Sequence, residues 1–198
     1  MKPNTVIFIG PQGSGKGTQI EKLTNVLKEK DPIRRVVDIQ TGRRFRSLAA
    51  KHETFAERKI ADTLDMGALQ PDFLTYILWG QAMLDQLDQI SHLLMDGFPR
   101  TLAQAEVLEE AFTFYERHDL QIINLDTPEE VVRKRMLERA RTDDSEESIE
   151  TRLRLYREDT LPVLTYYRRR PNTTVHNLNG VDSIDGVHQQ ILKALNID

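Results

Sequence analysis

The 198-residue chain contains no cysteine, which excludes disulfides and thiolate-held metals and fits a reducing compartment. It also lacks an excess of basic charge. Its 27 Lys and Arg face 31 Asp and Glu, a formal net charge of −4, so no general positive field exists to hold nucleic acid or an anionic membrane. Any anion must be gripped locally. The five histidines, at 52, 92, 118, 176 and 188, show no metal-ligand spacing, and no structural zinc is expected. The apolar run near the N-terminus is broken by glycine too early for a signal peptide or a membrane span. There is no internal repeat, low-complexity tract or long linker. These absences lead to the expectation of a soluble, cytoplasmic, monomeric protein with neither nucleic acid nor membrane as partner. With 39% hydrophobic residues, one domain over residues 1–198 is the default.

What is present is organised around the first twenty residues. Thr5 to Ile9 is a continuous apolar, β-branched run that reads as a parallel strand buried on both faces. It ends in Gly10-Pro11-Gln12-Gly13-Ser14-Gly15-Lys16-Gly17-Thr18, after which Ile20, Leu23, Val26 and Leu27 fall on one side of a helix. Glycines let successive backbone N–H groups converge on one point, and the new helix directs its positive end there; a phosphate is the natural occupant. Lys16 would then meet the outer phosphates and the Thr18 hydroxyl another phosphate oxygen. The strict phosphate-loop pattern has Ser or Thr directly after the lysine, where this chain has Gly17.

Further strands are expected at 35–39, 92–96, 120–125 and 173–178, separated by helical patterns. Residues 41–70 form a helical excursion, opening at Thr41-Gly42, continuing from Lys51 to Leu64 and breaking at Met66 to Pro71. A long amphipathic helix is expected over 72–90 and others over 101–118 and from Pro128 to about Arg139. Another begins near Asp143 and is kinked or interrupted at Pro162; a closing helix runs from Ile184 to Leu195. Strands alternating with helices imply an α/β fold with a five-stranded parallel sheet and helices on both faces. Ligands in such sheets bind beyond the carboxyl ends of the strands, where Lys16, Thr41, Asp96 and Arg100 all fall. Asp96, just past an apolar strand, reads either as a turn or helix cap or as a carboxylate that organises Mg²⁺ and its waters.

Arg46, Arg100, Arg135, Arg139, Arg141 and Arg152 are either solvated surface side chains or the cations that two mutually repelling nucleotides would require. Motif context decides. Gly-x-x-Gly-x-Gly-Lys-Gly-Thr-Gln resembles the nucleoside monophosphate kinases, adenylate kinase above all. Asp96-Gly97-Phe98-Pro99-Arg100-Thr101-x-x-Gln104-Ala105 is similar to that family's Asp-Gly-Phe-Pro-Arg-Thr-x-x-Gln-Ala, and Thr41-Gly42-x-x-x-Arg46 to its monophosphate-site block. Arg139-x-Arg141-x-Asp143-Asp144, then Arg152, resembles the segment around its lid. Four blocks thus occur in family order along the whole chain.

The resemblance implies a P-loop kinase three-layer fold with a small helical monophosphate-binding insertion and Mg²⁺-dependent transfer between ATP and a monophosphate, AMP first. Gly13, Ser14, Gly15, Lys16, Gly17 and Thr18 would cradle ATP phosphates, with Arg135 and Arg139 near the ATP. Thr41, Arg46, Gly97, Phe98, Pro99, Arg100, Gln104, Arg141 and Arg152 would hold the monophosphate or bridge both substrates, and backbone at Ala68, Leu69 and Gln70 would contact its ribose and base. Lys16, Arg100, Arg139, Arg141 and Arg152 would be the catalytic cations. A carboxamide at Gln104 can pair with adenine's donor and acceptor together, although Thr101-x-x-Gln104 is also a capping box. The chain departs from the pattern twice. Arg43 stands where the family has Asp, and either grips an additional anion or faces solvent; only Ala140 separates Arg139 from Arg141, so 139–142 is a vestigial lid. The alternatives are a CMP, UMP or other nucleotide kinase, and a nucleotide-binding regulatory protein whose catalysis is lost.

Overall fold

The computed structural model describes residues 2–197. Among them, β1 (Thr5–Ile9) is flanked by β3 (His92–Asp96) on one side and β4 (Leu120–Asp126) on the other. β2 (Val36–Gln40) and β5 (Thr173–Asn179) form the edges, giving the parallel order β2-β3-β1-β4-β5. Every residue of β1 is buried. Alternation divides it between two layers. Ile7 and Ile9 pack with α4 (Asp72–Gln86), α5 (Leu102–Phe114) and α8 (Leu161–Arg168), whereas Val6 and Phe8 pack with α1 (Lys16–Lys30) and α9 (Ile184–Ala194). The order reverses at β1, so the crevice beyond the tips of β1 and β3 is the topological switch point. The register brings Phe8 of β1 and Gln40 of β2 level with Asp96 there.

The insertion consists of α2 (Thr41–Ala49) and α3 (Phe55–Asp65), with an apolar cluster of its own, Phe45, Ala49, Ile60 and Ala61. The expected continuous helix from Lys51 does not form. Thr54 accepts from the Glu57 N–H and the Glu57 carboxylate accepts from the Thr54 N–H, a capping box that starts a new helix at Phe55. Phe55 itself is exposed rather than an apolar anchor. The 72–90 helix ends at Gln86, because Leu87 turns extended and Asp88 Oδ1 collects the N–H groups of Ile90 and Ser91. The 101–118 helix ends at Phe114, and Glu116 adopts a left-handed conformation with φ 54°. β2 starts at Val36, one residue later than expected, and β2, β4 and β5 each extend one residue further.

α6 (Glu129–Arg139) opens on Pro128 with two acidic residues in its first turn. α7 (Glu146–Leu155) is capped by Ser145 and Ser148 and runs through a π-helical turn, Tyr156–Thr160, into α8. The π turn is the interruption that Pro162 imposes, since proline lacks the N–H that a regular i→i−4 ladder needs.

At the opposite end of the sheet His92 is fully buried. Its Nδ1 accepts from the Asn4 N–H at 3.1 Å and its Nε2 lies 3.3 Å from Asp31 Oδ2, the pattern of a neutral ring that donates from Nε2. Burial lowers the pKa of His92, and likewise those of His176 and His188. The unfolded chain therefore takes up these protons first, so stability is full above the unfolded value of ~6.5 and falls as the pH drops through it. Urea unfolding between pH 7.5 and 5 should show this decline, and His92→Gln should flatten it by up to about 1.4 kcal/mol per pH unit. An unchanged slope in the variant would contradict the assignment.

Candidate active site

Gly13 and Gly15 take φ 89° and 96°, the left-handed region, and Gly15 is the N-cap from which α1 begins at Lys16. The loop thus presents its N–H groups and the helix terminus to the switch-point crevice. Lys16 Nζ is folded onto the loop, donating to Gly10 O at 2.8 Å and Pro11 O at 2.9 Å, with Asp96 Oδ1 at 3.9 Å. Burial lowers its pKa, Asp96 offsets part of that, and Arg100 and Arg139 lower it further. The ammonium is held where positive charge is disfavoured. Ser14 is buried, its hydroxyl 3.4 Å from Nζ; Gly17 and the exposed Thr18 line the crevice wall.

Beyond β3, Asp96 Oδ1 is buried without a hydrogen-bond partner among the described residues. Arg100 Nε donates to Gly97 O at 3.0 Å and its carbonyl accepts from Thr160. Gln104 has both ends of its amide fixed: Oε1 accepts from the Arg100 N–H and Nε2 donates to Asp72 Oδ1, each at 2.7 Å. The capping contact also exists, since Thr101 Oγ1 accepts from the Gln104 N–H. The Phe98 ring stacks on Trp79 and meets Tyr76 edge-on, so it packs in the core while the residue also lines the crevice.

The main cleft has a volume of about 330 Å³ and is lined by Lys16, Arg46, Arg100, Arg135, Arg139 and Arg141 with Asp96, Gly97, Gln12 and Thr18. Arg152 is nearly inaccessible and lines two adjoining chambers, one shared with Lys16 and Arg100, the other with Arg46 and Arg100. The suspected cations therefore converge. Burial pushes Arg46 down to about 10, with Arg141, Arg139 and Arg100 adding to the fall against the pull of Asp143. Burial likewise lowers Arg100, with Arg152 contributing, and Arg141, with Arg139 contributing. Neither the Arg46 nor the Arg141 guanidinium has a hydrogen-bonded or ion-paired partner among the described residues. The collection of guanidiniums is under mutual repulsion that an incoming anion would relieve.

Asp143 and Asp144, which the sequence pattern offered as a helix start and as part of the lid-flanking block, are central here. Asp144 takes both Arg139 Nε at 2.6 Å and Arg152 at 2.7 Å, and Asp143 takes Arg152 at 2.7 Å. Burial would raise Asp144, yet these two arginines outweigh it and hold its carboxyl below the usual range. The signal was their position directly after Arg139-x-Arg141. Asp72 and Gln12 were also missed. Asp72 reaches Gln104 from 32 residues away, a contact with no local signature.

The second chamber lies beside the insertion, lined by Thr41, Phe45, Arg46, Ala68, Leu69, Gln70, Thr75 and Gln104. Its volume is about 40 Å³, room for about three waters. Arg152 also donates to Leu64 O at 3.1 Å, tying α7 to the end of α3. Gly67, at φ 69°, is so close to α7 that a Cβ would fall 2.3 Å from Ser148 O. Arg43 is exposed and pairs with Glu21 at 2.9 Å on the rim, while Arg135 donates to Gly180 O. Ala140 caps α6 with φ 46°, and the chain turns straight into Arg141 with no element between the two arginines. Among the described residues no three His, Cys, Asp or Glu cluster as metal ligands, and no helix is long and apolar enough to cross a membrane.

A family profile described as Adenylate kinase matches residues 8–172. The protein named Adenylate kinase from Corynebacterium urealyticum is 35% identical over 190 residues, covering 96% of this chain and 98% of that one. Adenylate kinase 1 of Nostoc sp. is 37% identical over 190 residues, 96% and 97% of the two chains. Adenylate kinase of Thermus thermophilus is 35% identical over 196 residues, 97% of each. On this profile match and these identities, the chain belongs to the adenylate kinase family, a family of phosphotransferase enzymes.

Proposed function

We propose that the protein catalyses reversible transfer of the γ-phosphoryl group of ATP to AMP, giving two ADP. The observation that carries this reading is the main cleft, where Lys16 and six arginines line one space that shares Arg46 and Arg100 with the chamber beside the insertion. Two polyanions meeting end to end need such a collection of fixed cations. Gly13 to Thr18 and Lys16 would take the ATP phosphates, with Arg135 and Arg139 beside them. Arg46, Arg100, Arg141 and Arg152 would take the AMP phosphate and the transferring group, and Thr41, Ala68 to Gln70 and Gln104 would hold the nucleoside. An AMP phosphate oxygen forms the new bond to the γ-phosphorus as the bond to the β–γ bridging oxygen breaks, leaving one ADP from each nucleotide. Spreading charge on the equatorial oxygens is offset by cations already in place.

Asp96 Oδ1, which has Lys16 at 3.9 Å but no hydrogen-bond partner among the described residues, fits a hydrated divalent cation bound with ATP. When bound, Mg²⁺ would neutralise β- and γ-phosphate oxygens, with Asp96 orienting its waters. The small chamber implies that residues 41–70 swing outward to admit a nucleoside and return over it.

Purified protein should form ADP from ATP and AMP, and faster than from ATP with CMP or UMP. A faster reaction with either pyrimidine would replace the acceptor. Nucleotide binding without ADP formation would favour a regulatory role.

A further inference from the structure

Gln70 closes the insertion just before α4, and it is nine-tenths buried at the wall of the second chamber. Its Nε2 donates to Ile60 O at 3.1 Å. A carbonyl oxygen can only accept, so this contact fixes which end of the amide is nitrogen and leaves Oε1 as the other end. That oxygen is out of water and has no donor among the described residues. A buried carbonyl without a donor costs free energy unless something supplies one.

Gln104, across the same chamber, has one lone pair occupied by the Arg100 N–H and one amide hydrogen by Asp72. It retains a single acceptor site and a single donor hydrogen. An exocyclic amine on a nucleobase carries two hydrogens, so Gln104 can satisfy one of them and leaves the other in need of an acceptor. Among the chamber's side chains the other buried oxygen with no hydrogen-bond partner, Asp143 Oδ1, belongs to a carboxylate held by Arg152 and acts on Arg46, on the phosphate side. Thr75 Oγ1 is turned toward Pro71 O.

We propose that Gln70 Oε1 is a specificity-determining acceptor that takes a hydrogen from the exocyclic amine of the acceptor base, selecting 6-aminopurine over its 6-oxo counterpart. The inference rests on the second chamber being the acceptor site. A base with a carbonyl oxygen in that position would bring two acceptors face to face, both desolvated, which a site built for an N–H rejects strongly.

The test is direct titration, without ATP, of AMP and inosine monophosphate into wild-type protein, Gln70→Met and Gln70→Glu. Met has similar length but no comparable acceptor; Glu keeps an acceptor oxygen in either protonation state. Wild-type protein should bind AMP at least ~10-fold more tightly than inosine monophosphate, and Gln70→Met should erase that ratio mainly by weakening AMP. Gln70→Glu should retain the preference. Equal weakening of both ligands by Gln70→Met would show a merely structural tie to Ile60, and an unchanged ratio would show no role; either overturns the proposal. Thermal melts establish that each variant is folded, with Gln70→Val replacing the Met variant if it is not. ADP formation is assayed separately, so loss of the catalytic reading and loss of the base-reading role give different results.

Discussion

Lys16→Met is expected to slow ADP formation from ATP and AMP by at least ~10²-fold without lowering the melting temperature. The rate loss follows from removing the ammonium placed between the phosphate loop and Asp96, about 2.7 kcal/mol of transition-state stabilisation at ~10²-fold. The thermal result follows from the same environment. Burial and the charges of Arg100 and Arg139 all depress the Lys16 pKa, so the folded protein holds this cation at a disadvantage. Methionine removes that disadvantage while giving up the donors to Gly10 O and Pro11 O. AMP affinity should change little if, as proposed, the residue serves the ATP phosphates. Near-normal turnover in a folded Lys16→Met would remove the phosphate-loop role.

Arg100→Ala is expected to cause a comparable loss, at least ~10²-fold, but with a different signature. Arg100 lines the main cleft and both adjoining chambers, so its guanidinium is available to the acceptor phosphate and to the group in transit. The KM for AMP should rise together with the fall in kcat, whereas Lys16→Met should act mainly on kcat. The backbone that Arg100 shares with Gln104 and Thr160 survives truncation, since both contacts use main-chain atoms. Arg100→Lys should recover only part of the rate, because an ammonium cannot reproduce the planar fork. An unchanged KM and kcat in folded Arg100→Ala would contradict its placement.

The features legible in the amino-acid pattern were those with local causes. Thr5 to Ile9 could be read as a doubly buried strand because all five residues are apolar or β-branched, and the loop after it because glycine spacing and a following helix pattern coincide. Helix ends were less legible. The Thr54/Glu57 box was present to be read, but the apolar spacing through Phe55 and Ile60 argued for continuity, and a polar cap outweighed it. The helix after Pro71 was extended toward Ile90 because apolar spacing continues there, although Asp88 redirects the backbone. Within the site, Lys16, Arg46, Arg100, Arg139 and Arg141 converge as the motif order implied. Their partners were not legible. The hold of Asp72 on Gln104 and the tie from Arg152 to Leu64 O join segments far apart in the chain, and only the sheet's connectivity brings them together. Phe98 illustrates the converse: it lies within a site motif, yet its ring serves the core.

The pairing of Arg139 and Arg152 with Asp143 and Asp144 has a consequence for how this protein folds. The two carboxylates offset the charge of two of the guanidiniums, so the chain can fold around cations that would otherwise drive one another apart. The fold thus carries its own counter-charge at the place where Ala140 alone stands between Arg139 and Arg141.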